Sequence, residues 1–211
     1  EQVLVEAKRW FDTAKQPDLD RLTQAIMAGL PGAYDRYDPN GLREALVPYQ
    51  GLDRAALRQN HKRFLEEVVP AAEELGLKLA VHPDDPPRDL LGLPRIVSDA
   101  DDIDWILSAV DSPSNGLTLC SGSLGANPKN DVPAIAERFA GKIHFAHLRN
   151  VAKDPDGSFE EAAHLGGDTD MPALLGVLLG EEAGRRREGR KDAEIVFRPD
   201  HGHELLSDAD R

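Results

Sequence analysis

The stretch KLAVHPDDPP, residues 78–87, carries a run of strand-forming residues into a histidine, two aspartates and three prolines. A connecting turn needs only a Gly or a single Pro, so the histidine at the last strand position, His82, needs another explanation. The same arrangement recurs along the chain. The apolar strand patterns GLTLC (116–120), KIHFAHL (142–148) and AEIVFRPD (193–200) also end in or near residues that can bind a metal. This repetition indicates a site shared by the strand ends.

Helical patterns alternate with these strands, at residues 59–76, 98–110, 131–141 and 171–180. Strands of apolar, β-branched character separated by helices predict βα units and a parallel sheet. Four such units are half of an eight-stranded barrel, which typically takes about 250 residues. The expected fold class is therefore α/β, a (β/α)8 TIM barrel present as a partial barrel of about four βα units.

The domain expected from this pattern is a single partial barrel over residues 1–211. Residues 1–58 are predicted to be mainly helical, and residues 59–211 to carry the βα units. The chain opens without an initiator Met and stops abruptly after its last strand pattern, so we expect it to be a fragment of a longer protein.

Three local features complete the expected fold. Ser98 is expected to cap the helix that follows it. The segment SGSLGANPKN (121–130) is expected to be a Gly-rich loop, and RRREGRK (185–191) a solvated helix end and loop without a chemical role.

The composition excludes several classes of partner. The net charge of -13 argues against nucleic acid, because phosphate binding needs clustered Lys and Arg. No apolar run reaches the roughly 18 to 20 residues of a membrane helix. The single cysteine excludes an internal disulfide framework, so a reducing cytoplasm is the expected location.

The residues at the four strand ends are His82, Cys120, His147 and Asp200. In a (β/α) barrel the carboxyl ends of the strands converge on the active-site face, so two imidazoles, a thiolate and a carboxylate would meet there. That donor set suits a first-row transition metal. Taken singly, the histidines could be satisfied polar residues, the cysteine a small buried hydrophobe and the aspartate a helix cap. One metal explains all four together.

Four further residues near the strand ends are candidates for a role in the site. His201 directly follows Asp200 and suits general acid or base work near neutral pH. Arg149 and Arg198 could each clamp a substrate carboxylate bidentately, or serve instead as ion-pair partners of nearby residues. His164 lies in a loop long enough to fold over a pocket, with a solvated loop histidine as the alternative.

Four segments, AVHPDDPP, TLCSGSLG, IHFAHLRNV and VFRPDHGHE, resemble in that order the C-terminal part of the metal-dependent D-mannonate dehydratase family. The resemblance covers roughly residues 55–211, and residues 1–54 fit the family's middle region more loosely. It implies a barrel related to the xylose-isomerase-like barrels. It also implies Fe²⁺ or Mn²⁺ bound by two His, one Cys and one Asp, roles that carry over to His82, Cys120, His147 and Asp200.

The resemblance also implies the reaction. D-mannonate would lose water to give 2-dehydro-3-deoxy-D-gluconate, a hydro-lyase step of hexuronate and glucuronate catabolism, with His201 as the acid/base candidate. By this resemblance, we expect the family's first barrel strands to be absent from this sequence and its catalytic Tyr to fall beyond Arg211. The expected partners are the sugar acid D-mannonate and a second copy in a homodimer, with no nucleic acid and no membrane.

Two alternatives to this function stay open. One is a metal-dependent sugar isomerase or epimerase on the same barrel, against which Cys120 argues because such sites usually use Glu, Asp and His ligands. The other is an inactive fragment that only binds metal and a sugar acid.

Overall fold

The computed structural model describes residues 2–29 and 38–200. The chain divides into two compact units, Glu1–Gly51 and Leu52–Arg211. The division lies close to the predicted change of character after residue 58, while the assignment of the whole chain to one partial-barrel domain stays a prediction. Among the described residues, no helix has the length and apolar character needed to cross a membrane.

The first unit is helical over its described residues. It contains α1 (Gln2–Thr13), α2 (Gln16–Gly29), α3 (Pro39–Leu46) and a 3₁₀ turn at Val47–Tyr49.

The second unit alternates helices and strands. Its elements are α4 (Arg54–Glu74), β1 (Leu79–Val81), α5 (Ala100–Ala109), β2 (Asn115–Cys120), α6 (Ser121–Gly125), α7 (Val132–Phe139), a 3₁₀ turn (Ala140–Lys142), β3 (Ile143–Leu148), β4 (Asn150–Lys153), β5 (Phe159–Ala162), α8 (Met171–Arg187) and β6 (Val196–Pro199).

Over the described residues, four strands form a parallel sheet in the order β1-β2-β3-β6. All six residues of β2 are buried, as expected of an inner strand of a parallel sheet whose two faces are covered. The register places Cys120 opposite His147 and His147 opposite Arg198. The predicted α/β class with a parallel sheet is confirmed, and its closure into a barrel stays a prediction.

Apolar side chains from the five helices α4 to α8 pack against this sheet and form one core. Leu117 and Leu119 of β2 are fully buried in it, and the helices contribute a stripe of residues each, as amphipathic helices do. The helix residues include Leu65, Val69, Ile103, Ile106, Ile135, Ala136, Leu174 and Leu178.

Two of the local predictions are wrong. Asp99 rather than Ser98 caps α5, because its carboxylate accepts the Asp102 N–H at 2.9 Å. The supposed Gly-rich loop after β2 begins with the short buried helix α6, where Gly122 lies against the side chain of Arg149 and leaves no room for a Cβ.

The predicted solvated run 185–191 also departs from expectation at its first residue. Arg185 is only 2% exposed, and its guanidinium donates to the backbone carbonyls of Ala140 and Ile143 and to the Glu181 carboxylate. The long aliphatic stem and five donors of an arginine let it satisfy backbone groups that an apolar residue would leave unsatisfied.

Candidate metal centre

His82, Cys120 and His147 lie together at the carboxyl ends of three neighbouring strands. One ligand atom from each residue lies within 4.8 Å of the others. His82 Nε2 is 3.3 Å from His147 Nδ1, and Cys120 Sγ is 3.4 Å from the same nitrogen. The parallel pairing of β1, β2 and β3 brings these three side chains to one edge of the sheet.

Asp200 lies at the edge of this cluster, directly after β6. Its N–H donates to the Leu148 carbonyl at 2.9 Å and so continues the pairing of β6 with β3. The carboxylate is 8% exposed, and its Oδ1 lies 3.3 Å from His147 Nε2. Asp200 therefore adjoins His147, although it is not in the set of residues whose ligand atoms are all within 4.8 Å.

The Cys120 sulfur lies in surroundings that favour a thiolate. Burial by itself raises the pKa of the Cys120 thiol, but hydrogen bonding by His82 and by Ser123, through its hydroxyl and its N–H, outweighs burial and lowers it. The Ser123 hydroxyl is 3.1 Å from Sγ. The His147 imidazole also lies beside the sulfur, with its Nδ1 3.4 Å from Sγ.

The His82 ring is oriented by its own backbone neighbour. Its Nδ1 lies 2.8 Å from the Pro83 carbonyl, so Nδ1 carries the hydrogen and Nε2 is left for the cluster. Hydrogen bonding to Cys120 raises the pKa of His82, and this outweighs the opposing effect of partial desolvation of the ring. Within the described residues, His147 Nε2 is buried and makes no hydrogen bond, with the Asp200 carboxylate near it but outside hydrogen-bond geometry.

Arg149 lies beside the cluster and is held by carboxylates. It forms ion pairs with Asp85, in the loop after β1, and with Glu161 of β5. Its Nε is 3.6 Å from Asp200 Oδ2, and its side chain is 12% exposed. Of the two roles considered for Arg149, the structure shows the ion pairs, and contact with a substrate stays a prediction.

The other candidates from the sequence differ in how exposed their side chains are. Arg198 is 62% exposed, with one terminal nitrogen 3.8 Å from Asp200 Oδ1. His164 is half-buried, and its Nε2 has no hydrogen-bond partner within the described residues. His201 lies outside the described residues.

Sequence reasoning missed two residues of this neighbourhood, Ser123 and Glu161. Ser123 lies three positions after Cys120. At this spacing, the side chain of a residue that caps the start of a helix, here Cys120, commonly accepts the backbone N–H. That spacing could have pointed to it. Glu161 has no local signal, because its contact with Arg149 depends on the antiparallel pairing of β4 with β5.

The fold and the cluster together define an α/β protein with a candidate metal centre at the carboxyl edge of a parallel sheet. The model of the D-mannonate dehydratase (UxuA) family matches residues 7–211. The chain belongs to this family.

Individual relatives agree with the family match. The chain is 49% identical over 207 residues to a mannonate dehydratase of Marinomonas sp. (strain MWYL1), which covers 98% of this chain and 53% of that protein. It is 51% identical over 212 residues to mannonate dehydratase 1 of Agrobacterium fabrum (strain C58), covering 99% and 53%. The crystal structure of mannonate dehydratase from Streptococcus suis serotype 2 aligns with a TM-score of 0.67 at 38% identity, over 74% of this chain and 43% of that one. The chain thus spans about half the length of the curated relatives it matches.

Proposed function

We propose that the complete protein containing this chain dehydrates D-mannonate to 2-dehydro-3-deoxy-D-gluconate, as a hydro-lyase of hexuronate and glucuronate catabolism. The observation that carries the proposal is the cluster of His82, Cys120 and His147, whose ligand atoms lie within 4.8 Å of one another. Membership of the D-mannonate dehydratase family supplies the substrate and the reaction.

The proposed ligands of a divalent Fe²⁺ or Mn²⁺ ion are His82, Cys120, His147 and Asp200. The residues fit such an ion in three respects. The lowered pKa of Cys120 favours its thiolate form. The contact of His82 Nδ1 with a backbone carbonyl leaves Nε2 to bind. His147 Nε2 is buried without a hydrogen bond among the described residues. A divalent cation bound there would supply Lewis-acid stabilisation of the negative charge that develops when the proton on C2 leaves.

The protein's own residues would bind the substrate and move its protons. Arg198 lies next to Asp200 and has an exposed guanidinium. This guanidinium can form a bidentate pair with the substrate carboxylate. Arg149 and His164 are the other proposed substrate-binding residues. His201 is the proposed catalytic residue, taking the proton from C2 or giving one to the departing C3 hydroxyl.

We also propose that the four parallel strands belong to an eight-stranded barrel. All four residues of β6 are exposed, with Val196 and Phe197 at 63% and 59%. Apolar side chains on the outermost strand of a parallel sheet are ordinarily covered by further strands or helices, which a closed barrel would provide. A cytoplasmic location and a homodimer stay predictions.

The test is a product assay on the complete encoded protein, loaded with Fe²⁺ or Mn²⁺ without oxygen and incubated with D-mannonate. We expect a 2-keto-3-deoxy acid to accumulate. Cys120→Ala should lose both bound metal, measured by elemental analysis, and product formation. Ser108→Ala is the matched control, because Ser108 is an exposed residue of α5 and also loses a single heavy atom.

Three outcomes would contradict the proposal. An isomerised or epimerised sugar acid as the product would favour the isomerase alternative. Tight binding of D-mannonate and metal without turnover would indicate a binding protein. Retention of full metal content and activity in Cys120→Ala would show that the cluster does not hold the ion.

A further inference from the structure

Arg149 lies between two strands, after β3 and before β4, and its backbone is fixed there. The Ser121 hydroxyl accepts the Arg149 N–H at 2.9 Å and lies 2.6 Å from the Arg149 carbonyl, to which it donates. Ser121 is itself fully buried. The starting point of the Arg149 side chain is therefore set by the same turn that follows Cys120.

The side chain of Arg149 reaches four segments of the chain from that point. Its stem packs over Gly122, where any Cβ would collide with it. Its guanidinium pairs with Asp85 in the loop after β1 and with Glu161 of β5, and its Nε lies 3.6 Å from Asp200 Oδ2. A planar guanidinium presents donors in a fixed fork, so it can bridge several carboxylates at defined angles.

The same loop and hairpin also touch at a second point. Arg88, in the loop after β1, donates to the Gly157 carbonyl at 2.9 Å, and Gly157 lies in the turn between β4 and β5. The two contacts differ in one respect that a test can use. Arg149 is near Asp200, whereas Arg88 donates to a backbone carbonyl of the hairpin.

We propose that Arg149 is a positioning residue, which ties the loop after β1 to the β4–β5 hairpin and holds Asp200 with Oδ1 turned towards His147. The reason is geometric. Oδ2 of Asp200 faces Arg149, while Oδ1 faces His147 Nε2 at 3.3 Å. Arg198 approaches only Oδ1, at 3.8 Å, so Arg149 is the cation beside the oxygen that is turned away from the ring. The inference rests on the proposed function, because it is as a metal ligand that the orientation of Asp200 matters.

The first test measures Mn²⁺ affinity in the complete protein by competition with a fluorescent chelator. Arg149→Met keeps the apolar stem over Gly122 but removes the fork, and we expect it to bind Mn²⁺ about 10- to 100-fold more weakly, the usual loss when a group that orients a ligand is removed. Arg149→Lys keeps the charge and should recover only part of this loss. Arg88→Met is the matched control, expected within about twofold of wild type.

A double-mutant cycle tests whether Arg149 acts through Asp200. In an Asp200→Ala background, the further change Arg149→Met should alter Mn²⁺ affinity by no more than about twofold, because residues acting as one unit have non-additive effects. A full 10- to 100-fold loss in that background would overturn the proposal. So would wild-type Mn²⁺ affinity in Arg149→Met.

The second readout is amide hydrogen exchange over residues 84–95 and 154–161. It reports whether the loop and the hairpin are held together, and it does not require bound metal. We expect faster exchange there in both Arg149→Met and Arg88→Met. If Arg149→Met fails to fold, Asp85→Asn and Glu161→Gln each remove one side of the fork and should show the same two effects more weakly, and wild-type behaviour in both would overturn the proposal.

The readouts separate this inference from the proposed function. If the wild-type protein neither binds Mn²⁺ nor dehydrates D-mannonate, the proposed function is wrong. In that case the exchange measurement still tests whether Arg149 connects the loop after β1 to the hairpin. Unchanged exchange in Arg149→Met refutes the inference, and faster exchange supports the tie between the two segments.

Discussion

The amide of Asn150 offers a sharp test of how the loop that carries His164 is held. Asn150 is 1% exposed, and its Nδ2 donates to the carbonyls of His164 and Thr169 at 2.9 and 3.0 Å. Asn150→Asp keeps the shape but replaces this donor with an oxygen. Each buried carbonyl that loses its donor costs about 1–3 kcal/mol, so we expect a loss of about 2–6 kcal/mol in unfolding free energy.

Thermal unfolding of the complete protein, followed by circular dichroism at neutral pH, should show this loss as a fall of about 2–7 °C in the unfolding midpoint. The deficit should shrink as the pH is lowered towards about 4, the ordinary carboxyl pKa. The reason is that a buried carboxyl facing carbonyls has its pKa raised in the folded state, so the folded protein takes up a proton before the unfolded chain does.

Asn60→Asp is the matched control for this substitution. Asn60 is exposed on α4, and its Oδ1 accepts from Arg63, an interaction that a carboxylate keeps. We expect a change within about 0.5 kcal/mol. Equal midpoints for Asn150→Asp and Asn60→Asp would refute the reasoning, since the hydrogen bonds to the two carbonyls would then contribute nothing.

Three further predictions concern the core and its polar residues. Leu119→Ala removes a fully buried side chain and should lower the free energy of unfolding in urea by about 2–5 kcal/mol. Leu165→Ala, at a residue that is 79% exposed, should change it by no more than about 0.5 kcal/mol. Equal effects of the two substitutions would contradict the burial of Leu119. Arg185→Met strips the donors from three backbone carbonyls and one carboxylate and should cost about 3–5 kcal/mol, against little change for the exposed Arg186→Met in the same assay. Burial, with neighbouring cations, lowers the pKa of His144 to about 4, so its imidazole should titrate near pH 4 by NMR rather than near 6.5. Because the unfolded chain takes up this proton at the higher pH, the stability contribution of His144 should fall as the pH drops from about 6.5 to about 4, and His144→Gln should lack that part of the pH dependence.

The sequence could predict the part of the site that depends on where each apolar strand ends. His82, Cys120 and His147 stand at the ends of apolar runs, and parallel strands bring such ends to one edge. How closely they approach depends on register. A shift in the pairing between Leu117 and Thr118 sets Cys120 opposite His147, and such an irregularity leaves no mark in a pattern of apolar residues.

Contacts between segments that lie far apart in the chain could not be predicted from the sequence, for a related reason. The sequence leaves Arg149 open as a substrate clamp or as an ion-pair partner, because it does not show which residues surround the side chain. Its ion pairs with Asp85 and Glu161 depend on where the loop after β1 and a short, half-polar hairpin lie. Neither segment has a periodicity that predicts its path.

By itself, the sequence determined the α/β alternation, the parallel sheet and the placing of ligand-type residues at strand ends, because each of these follows from local periodicity and side-chain chemistry. The tertiary structure alone decided which of those residues approach one another, that Arg185 is buried rather than solvated, and that Arg149 lies among carboxylates. Those outcomes depend on packing and on pairing register between segments far apart in the chain, and neither is encoded in any short stretch of residues.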